Sequence, residues 1–282
     1  ETRATQLRAS PAHMYRSAPH RSHTTHITEH AVAAVPGSRR VDFDVWGHWL
    51  YSRHSRFTEY CVLPTSSLSP MPAMAIRAYT ATTALGQGVR AQAEALQARR
   101  SGLRRNDFGD GERLDCWIGR VEGVEQAALP VALQQWECRN NRLAWLALQQ
   151  DGVEQALADV VARHGADRVA VVVGTSTSSI GASEEAYARL SGEGDSKRFP
   201  ADLDRPQIHT PHSLGGFLQH ATGLRGPCIT VATACSSSAK VFAQAARLIQ
   251  AGVVDAALVG GVDTLCGSVL FGFNALQLVS KQ

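Results

Sequence analysis

No apolar run in this 282-residue chain approaches the ~18 residues needed to cross a bilayer; the longest are short stretches such as Val169 to Val173. A membrane-spanning helix is excluded. Cysteine is also scarce: the six residues at 61, 116, 138, 228, 235 and 266 stand singly, without the CxxC spacing of a zinc site or a redox pair. So little cysteine in so long a chain argues against a disulfide framework and for reduced thiols in a cytosol-like compartment. Aromatic residues make up 6% and charged residues 19%, but 44% of the chain is hydrophobic. That balance suits a globular protein and argues against a disordered, collagen-like or coiled-coil one.

The formal net charge is only +3, and it is unevenly placed. Residues 1–70 hold eight arginines against five acidic residues. Subtracting these from the totals of 28 and 25 leaves residues 71–282 balanced, with no broad basic surface for nucleic acid.

Residues 1–70 also hold seven of the eleven histidines, no lysine, and clusters such as Pro64-Thr65-Ser66-Ser67-Leu68-Ser69-Pro70. Apart from Val45 to Tyr51, nothing there keeps a helical or strand period, and the segment reads as an unstructured extension. His20, His23, His26 and His30 come without the carboxylate and cysteine company that would make a metal site specific, which favours a solvated polar tail. A transit peptide is a weaker reading, given the acidic residues and the length. A third reading starts the authentic chain at Met71 or Met74.

From residue 71 the pattern turns regular. Ala75 to Tyr79 reads as a strand, Thr80 to Gly88 as a turn, and Val89 to Arg100 as a helix stopped by Gly102. The stretch 108–140 is less legible and reads as an insertion or capping layer, with Trp117 and Trp136 as packing residues. A helix covers Arg142 to Gln149. Asp151 and Glu154 have capping-box spacing, ahead of an apolar face of Val153, Ala156, Leu157, Val160 and Val161 that ends at Gly165. Arg168 to Gly174 is a β-branched run of the kind buried on both faces of a parallel sheet. Thr175 to Gly181 reads as a turn before another helix, and a short helix spans Ser213 to Thr222. Cys228 to Ala232 then reads as a strand, Cys235 to Ala251 as a helix and Val254 to Gly260 as a strand, a βαβ unit.

Cys235 stands where that strand ends and that helix begins, among small residues: Thr230-Val231-Ala232-Thr233-Ala234-Cys235-Ser236-Ser237-Ser238-Ala239. A helix N-terminus favours a thiolate, and its N–H groups could hold the oxyanion formed when a thiolate attacks a thioester. With only Lys240 and Arg247 charged, the helix is expected to be covered on more than one side. Free cysteine is often buried, so Cys116, Cys138, Cys228 and Cys266 read as apolar packing groups, a reading that position alone leaves open for Cys235 as well.

The run Val231 to Ser238 resembles the active-site signature of β-ketoacyl carrier-protein synthases and related polyketide ketosynthases, condensing enzymes of the thiolase fold. Ala78 to Gly88, Val171 to Thr175, Gly223 to Pro227, and Asp255 to Asp263 with Gly260-Gly261, resemble that family's other strands and turns. The resemblance implies an α/β chain in thiolase-like α/β/α layers, with Cys235 as the acyl-accepting nucleophile. It implies no metal and no bound cofactor, substrates carried on the phosphopantetheine of an acyl carrier protein, a homodimer or heterodimer, and a cytoplasmic setting. The Ser-rich flank resembles elongating or polyketide-type synthases more than the starter type, and cysteine rather than glutamine argues against the non-condensing partner subunits.

The family's two catalytic histidines, a lysine and a Gly-Phe-Gly loop lie in a second half-domain, and no matching motif follows Phe271-Gly272-Phe273 before Gln282. The expectation is a truncated first half-domain over 71–282. His209, His212 and His220 fall where the family has no catalytic histidine. Two further readings stay open: a catalytically silent chain that pairs with another of the same fold, and a thioester transacylase or hydrolase using Cys235 with one of those three imidazoles.

Overall fold

The computed structural model describes residues 73–109 and 113–281. The expectations for residues 1–70, including the His-rich stretch and Cys61, lie outside the described residues.

The first elements are β1 (Thr82–Thr83), β2 (Gly86–Gln87), α1 (Gly88–Gln97), β3 (Leu103–Arg105) and β4 (Trp117–Gly119). They form two small antiparallel ladders, β1 with β2 and β3 with β4. The helices α2 (Arg139–Leu148) and α3 (Val153–His164) lead to β5 (Val169–Gly174). Then come α4 (Ile180–Ala188), α5 (Ser213–Thr222), β6 (Cys228–Val231), α6 (Ser237–Gln250), β7 (Ala256–Gly261) and α7 (Gly267–Ala275).

The larger sheet has the order β6-β5-β7 and is parallel throughout, so the β6–α6–β7 connection passes over β5. Every residue of β5 is buried, as expected of an unbroken apolar run in a parallel sheet. Its side chains alternate between two cores. Val169, Val171 and Val173 meet Leu214, Phe217 and Leu218 of α5, with Leu157, Val160 and Val161 of α3 and Trp136 packed around them. Ala170 and Val172 meet Val241 and Ala245 of α6. One strand thus separates two helical layers, an α/β/α arrangement. At its start the Arg168 guanidinium grips both Asp255 carboxylate oxygens at 2.7 and 3.1 Å, which fixes the ends of β5 and β7 side by side and holds that carboxyl below its usual range.

Three expectations are corrected. Ala75 to Tyr79 is not a strand: residues 73–79 are exposed, with Ile76 at 73%, and have no ladder partner among the described residues. An apolar run without a neighbour leaves its backbone groups to water. The capping box at Asp151 does not form either, because α3 is preceded by Gly152 at φ 72° and has no side-chain cap. Asp151 instead accepts the Val89 N–H at 2.9 Å, so it caps α1, 62 residues earlier in the chain. Finally, α6 is buried on one face only, through Ser237, Val241, Ala245 and Ala246, while Phe242 is 48% exposed. Low charge marks a helix that tolerates covering; it does not supply the layer that covers it.

Candidate active site at the β6–α6 turn

The turn between β6 and α6 is built on close approaches that only small residues allow. Gly174 ends β5, and a Cβ there would stand 2.6 Å from the Ser237 carbonyl carbon. At the matching end of β7, a Cβ on Gly261 would lie 2.7 Å from the Ser238 Cβ. The first turn of α6 therefore rests directly on the C-terminal ends of two strands. Ser237 closes the turn from within: its hydroxyl oxygen accepts the Thr233 N–H at 2.8 Å and donates to the Ala234 carbonyl at 2.6 Å. Ala234 has φ 53°, an uncommon conformation for a residue with a side chain and a sign of local strain at this point.

Cys235 follows Ala234, in the single 3₁₀ turn Ala234–Ser236 just before α6 rather than inside that helix. It is exposed, in contrast to Cys116, Cys138 and Cys266, which are buried, and Cys228, which is half-buried. The start of α6 carries no side-chain cap. Its leading N–H groups are thus left to backbone, water or a bound anion.

Cys235 lines an open cavity of about 550 Å³ together with Gly119, Val121, Leu143, Thr177, Asp263 and Phe273, among others. Arg139 lines it as well but is already engaged, donating through Nε and Nη2 to Glu125 Oε1 at 3.1 and 2.8 Å. Burial of Glu125 opposes its charge, but Arg139 and Arg120 outweigh this and keep the carboxyl below its usual range. On the cavity wall, Asp263 Oδ1 accepts hydrogen bonds from the Thr175 hydroxyl, the Ser176 and Thr177 N–H groups and the Thr177 hydroxyl at 2.6 to 3.1 Å. The buried Asn140 side chain meets the Thr177 and Thr264 hydroxyls at 3.3 Å each.

The other thiols differ from Cys235 in their surroundings. Burial pushes Cys138 and Cys228 up to about 11, and burial with the nearby Glu184 carboxylate raises Cys266. Residues 138, 228 and 266 are packing groups, in keeping with the usual burial of free cysteine.

No imidazole lines the Cys235 cavity among the described residues. His209 is held at both ring nitrogens, by the Ser183 hydroxyl at 2.9 Å and the Leu203 carbonyl at 2.7 Å. His212 Nδ1 lies 2.9 Å from the Thr230 hydroxyl, and His220 rests against Trp136 with ring centroids 5.4 Å apart. The pairing that a Cys–His transacylase or hydrolase needs is therefore not made by any of the three. Sequence reasoning singled out Cys235 but not Asp263 or Ser237. Asp263 stands two residues beyond the glycine pair that ends β7, and nothing in its local sequence marks the donors that converge on it from the turn after β5.

Residues 134–282 match the family model described as the N-terminal domain of β-ketoacyl synthase. The chain is 28% identical over 137 residues to a 3-oxoacyl-[acyl-carrier-protein] synthase 2 of Vibrio cholerae, covering 48% of this chain and 31% of that protein. It is 38% identical over 98 residues to a spectinabilin polyketide synthase protein of Streptomyces orinoci, covering 33% of this chain and 4% of that one. Among solved structures, a ketosynthase in complex with its chain length factor from Xenorhabdus doucetiae superposes with a TM-score of 0.60 at 31% identity, covering 73% of this chain and 51% of that one. The chain thus spans less than a third of the first of these curated relatives and about half of that solved one.

Proposed function

The chain belongs to the β-ketoacyl synthase family, with the thiolase-like fold of its ketosynthases, and on that premise we propose that it carries the acyl-accepting half of a 3-oxoacyl-[acyl-carrier-protein] synthase. The observation that carries this reading is the placement of Cys235: exposed, on a strained turn, ahead of an uncapped helix, at the wall of a cavity.

In the proposed reaction the Cys235 thiolate attacks the carbonyl of an acyl group held as a thioester on carrier-protein phosphopantetheine. The carbonyl electrons move to oxygen, and leading N–H groups of α6 face the oxyanion. The oxyanion collapses, the phosphopantetheine thiolate leaves and takes up a proton, and the acyl group stays on Sγ. A malonyl thioester then loses carbon dioxide, its enolate attacks the Cys235 acyl carbon, and the Cys235 thiolate departs, leaving a 3-oxoacyl chain on the carrier protein. That second stage draws on the two histidines which the family resemblance assigns to a second half-domain. Removing groups of this kind costs ~10² to 10⁴ in rate each, whereas thiolate attack on a thioester makes smaller demands.

The product is a fatty-acid or polyketide-type intermediate, and the partners are an acyl carrier protein and a second ketosynthase-fold chain. The solved ketosynthase in complex with a chain length factor supports the second partner. Incubation with hexanoyl carrier protein tests the reading by intact mass. The expected result is a hexanoyl adduct on the wild-type chain and none on Cys235→Ala; equal adducts on both, or none on either, overturn it.

A further inference from the structure

We propose that Asp263 is a positioning residue for Cys235, a role that rests on the acyl-acceptor reading above. Four donors from the turn after β5 converge on its Oδ1: the Thr175 and Thr177 hydroxyls and the Ser176 and Thr177 N–H groups. Asp263 itself follows β7, two residues beyond Gly261. Its carboxylate therefore ties together the C-terminal ends of β5 and β7, and Val262 N–H donating to the Gly174 carbonyl at 3.1 Å completes the join.

Those two strand ends are the surface on which the start of α6 sits. Gly174 abuts Ser237 and Gly261 abuts Ser238, with no room for a methyl group at either contact. Thr175 also presents its carbonyl 3.4 Å from the Ser237 hydroxyl. Any parting of the strand ends is passed to Ser237, and Ser237 holds the Thr233 N–H and the Ala234 carbonyl that shape the Cys235 turn. Arg168 and Asp255 brace the opposite ends of the same strands, far along the sheet from the turn. A displacement of about 1 Å at a reacting atom costs on the order of 100-fold in rate, so a clamp of this kind affects chemistry without touching substrate.

Hydrogen exchange at the Thr233 amide reads the turn directly, with no need of activity. In Asp263→Ala we expect Thr233 protection to fall by about tenfold or more and hexanoyl uptake from carrier protein by about 10- to 100-fold, with the β5 amides still protected. All four contacts fall on one oxygen, which an amide retains, so Asp263→Asn restores both readouts to within a few-fold. Asp255→Ala, at the other end of the strands, leaves Thr233 protection in place. Should Asp263→Ala fail to fold, Thr177→Val, which removes one donor, shows the same pattern more weakly.

Unchanged Thr233 protection in folded Asp263→Ala or Thr177→Val overturns the proposal, as does loss of protection that Asp263→Asn does not restore. A wild-type chain that accepts no hexanoyl group, while Thr233 protection still answers to Asp263, sustains the clamp and removes the acyl-acceptor reading instead.

Discussion

Gly174 faces Ser237 so closely that the missing methyl group would stand 2.6 Å from a backbone carbon, which no side-chain rotation relieves. Gly174→Ala is therefore expected to push the start of α6 off the sheet, at ~1–3 kcal/mol of stability, the usual cost of overpacking. Urea denaturation measures the loss, and hexanoyl uptake by Cys235 falls with it. An alanine variant of wild-type stability and wild-type uptake contradicts the packing described for this turn.

Cys235 is expected to be the first of the five described cysteines to react with iodoacetamide. Cys116, Cys138 and Cys266 are shielded, and a thiol pushed up to about 11, as Cys138 and Cys228 are, is only about one part in a thousand ionised at pH 8. Peptide mapping after brief labelling separates these sites from one another and from Cys61. Labelling of Cys138 or Cys228 at the rate of Cys235 counts against the assignment.

The raised Cys138 thiol also fixes the sign of an alkaline effect. Between its ordinary value near 9.0 and its folded value of about 11, the unfolded chain has released the proton that the folded chain keeps. Stability from this residue is intact below pH 9 and declines as pH rises through that window, by up to ~1.4 kcal/mol per pH unit. Urea midpoints measured from pH 8 to 11 should fall less steeply in Cys138→Ala than in wild type.

Asp151 caps a helix that the local sequence does not point to. Asp151→Ala is expected to cost ~0.5–2 kcal/mol, with exchange rising at the Val89 amide, whereas Glu154→Ala changes little. The reverse ranking in denaturation restores the capping box inferred from spacing.

These cases show where local pattern carries and where it fails. The run Val169 to Val173 announces burial on both faces because alternation is absent, and β5 does divide two cores. The helices end near Gly165 and Gly252, both at positive φ, because a left-handed residue is needed there and glycine supplies it. Cys235 stands out because its small neighbours are unusual for a strand-to-helix turn. Asp151 and Asp263 were not legible in the same way, since their partners lie 62 and 86 to 88 residues away and spacing along the chain holds no record of them. The expectations of a strand at Ala75 to Tyr79 and of an α6 covered on more than one side fail among the described residues for a related reason: each depends on which other element is present to pair or pack.

The place of β5 in the sheet sets a constraint on synthesis. It leaves the ribosome before either strand that flanks it, and its partners at 228–231 and 256–261 follow only after long intervening stretches. Until then Val169-Ala170-Val171-Val172-Val173 is a bare β-forming ribbon with two unmet edges, the kind of segment that self-associates. A nascent chain stalled near residue 220 is thus expected to self-associate more readily than one that has emerged past residue 261.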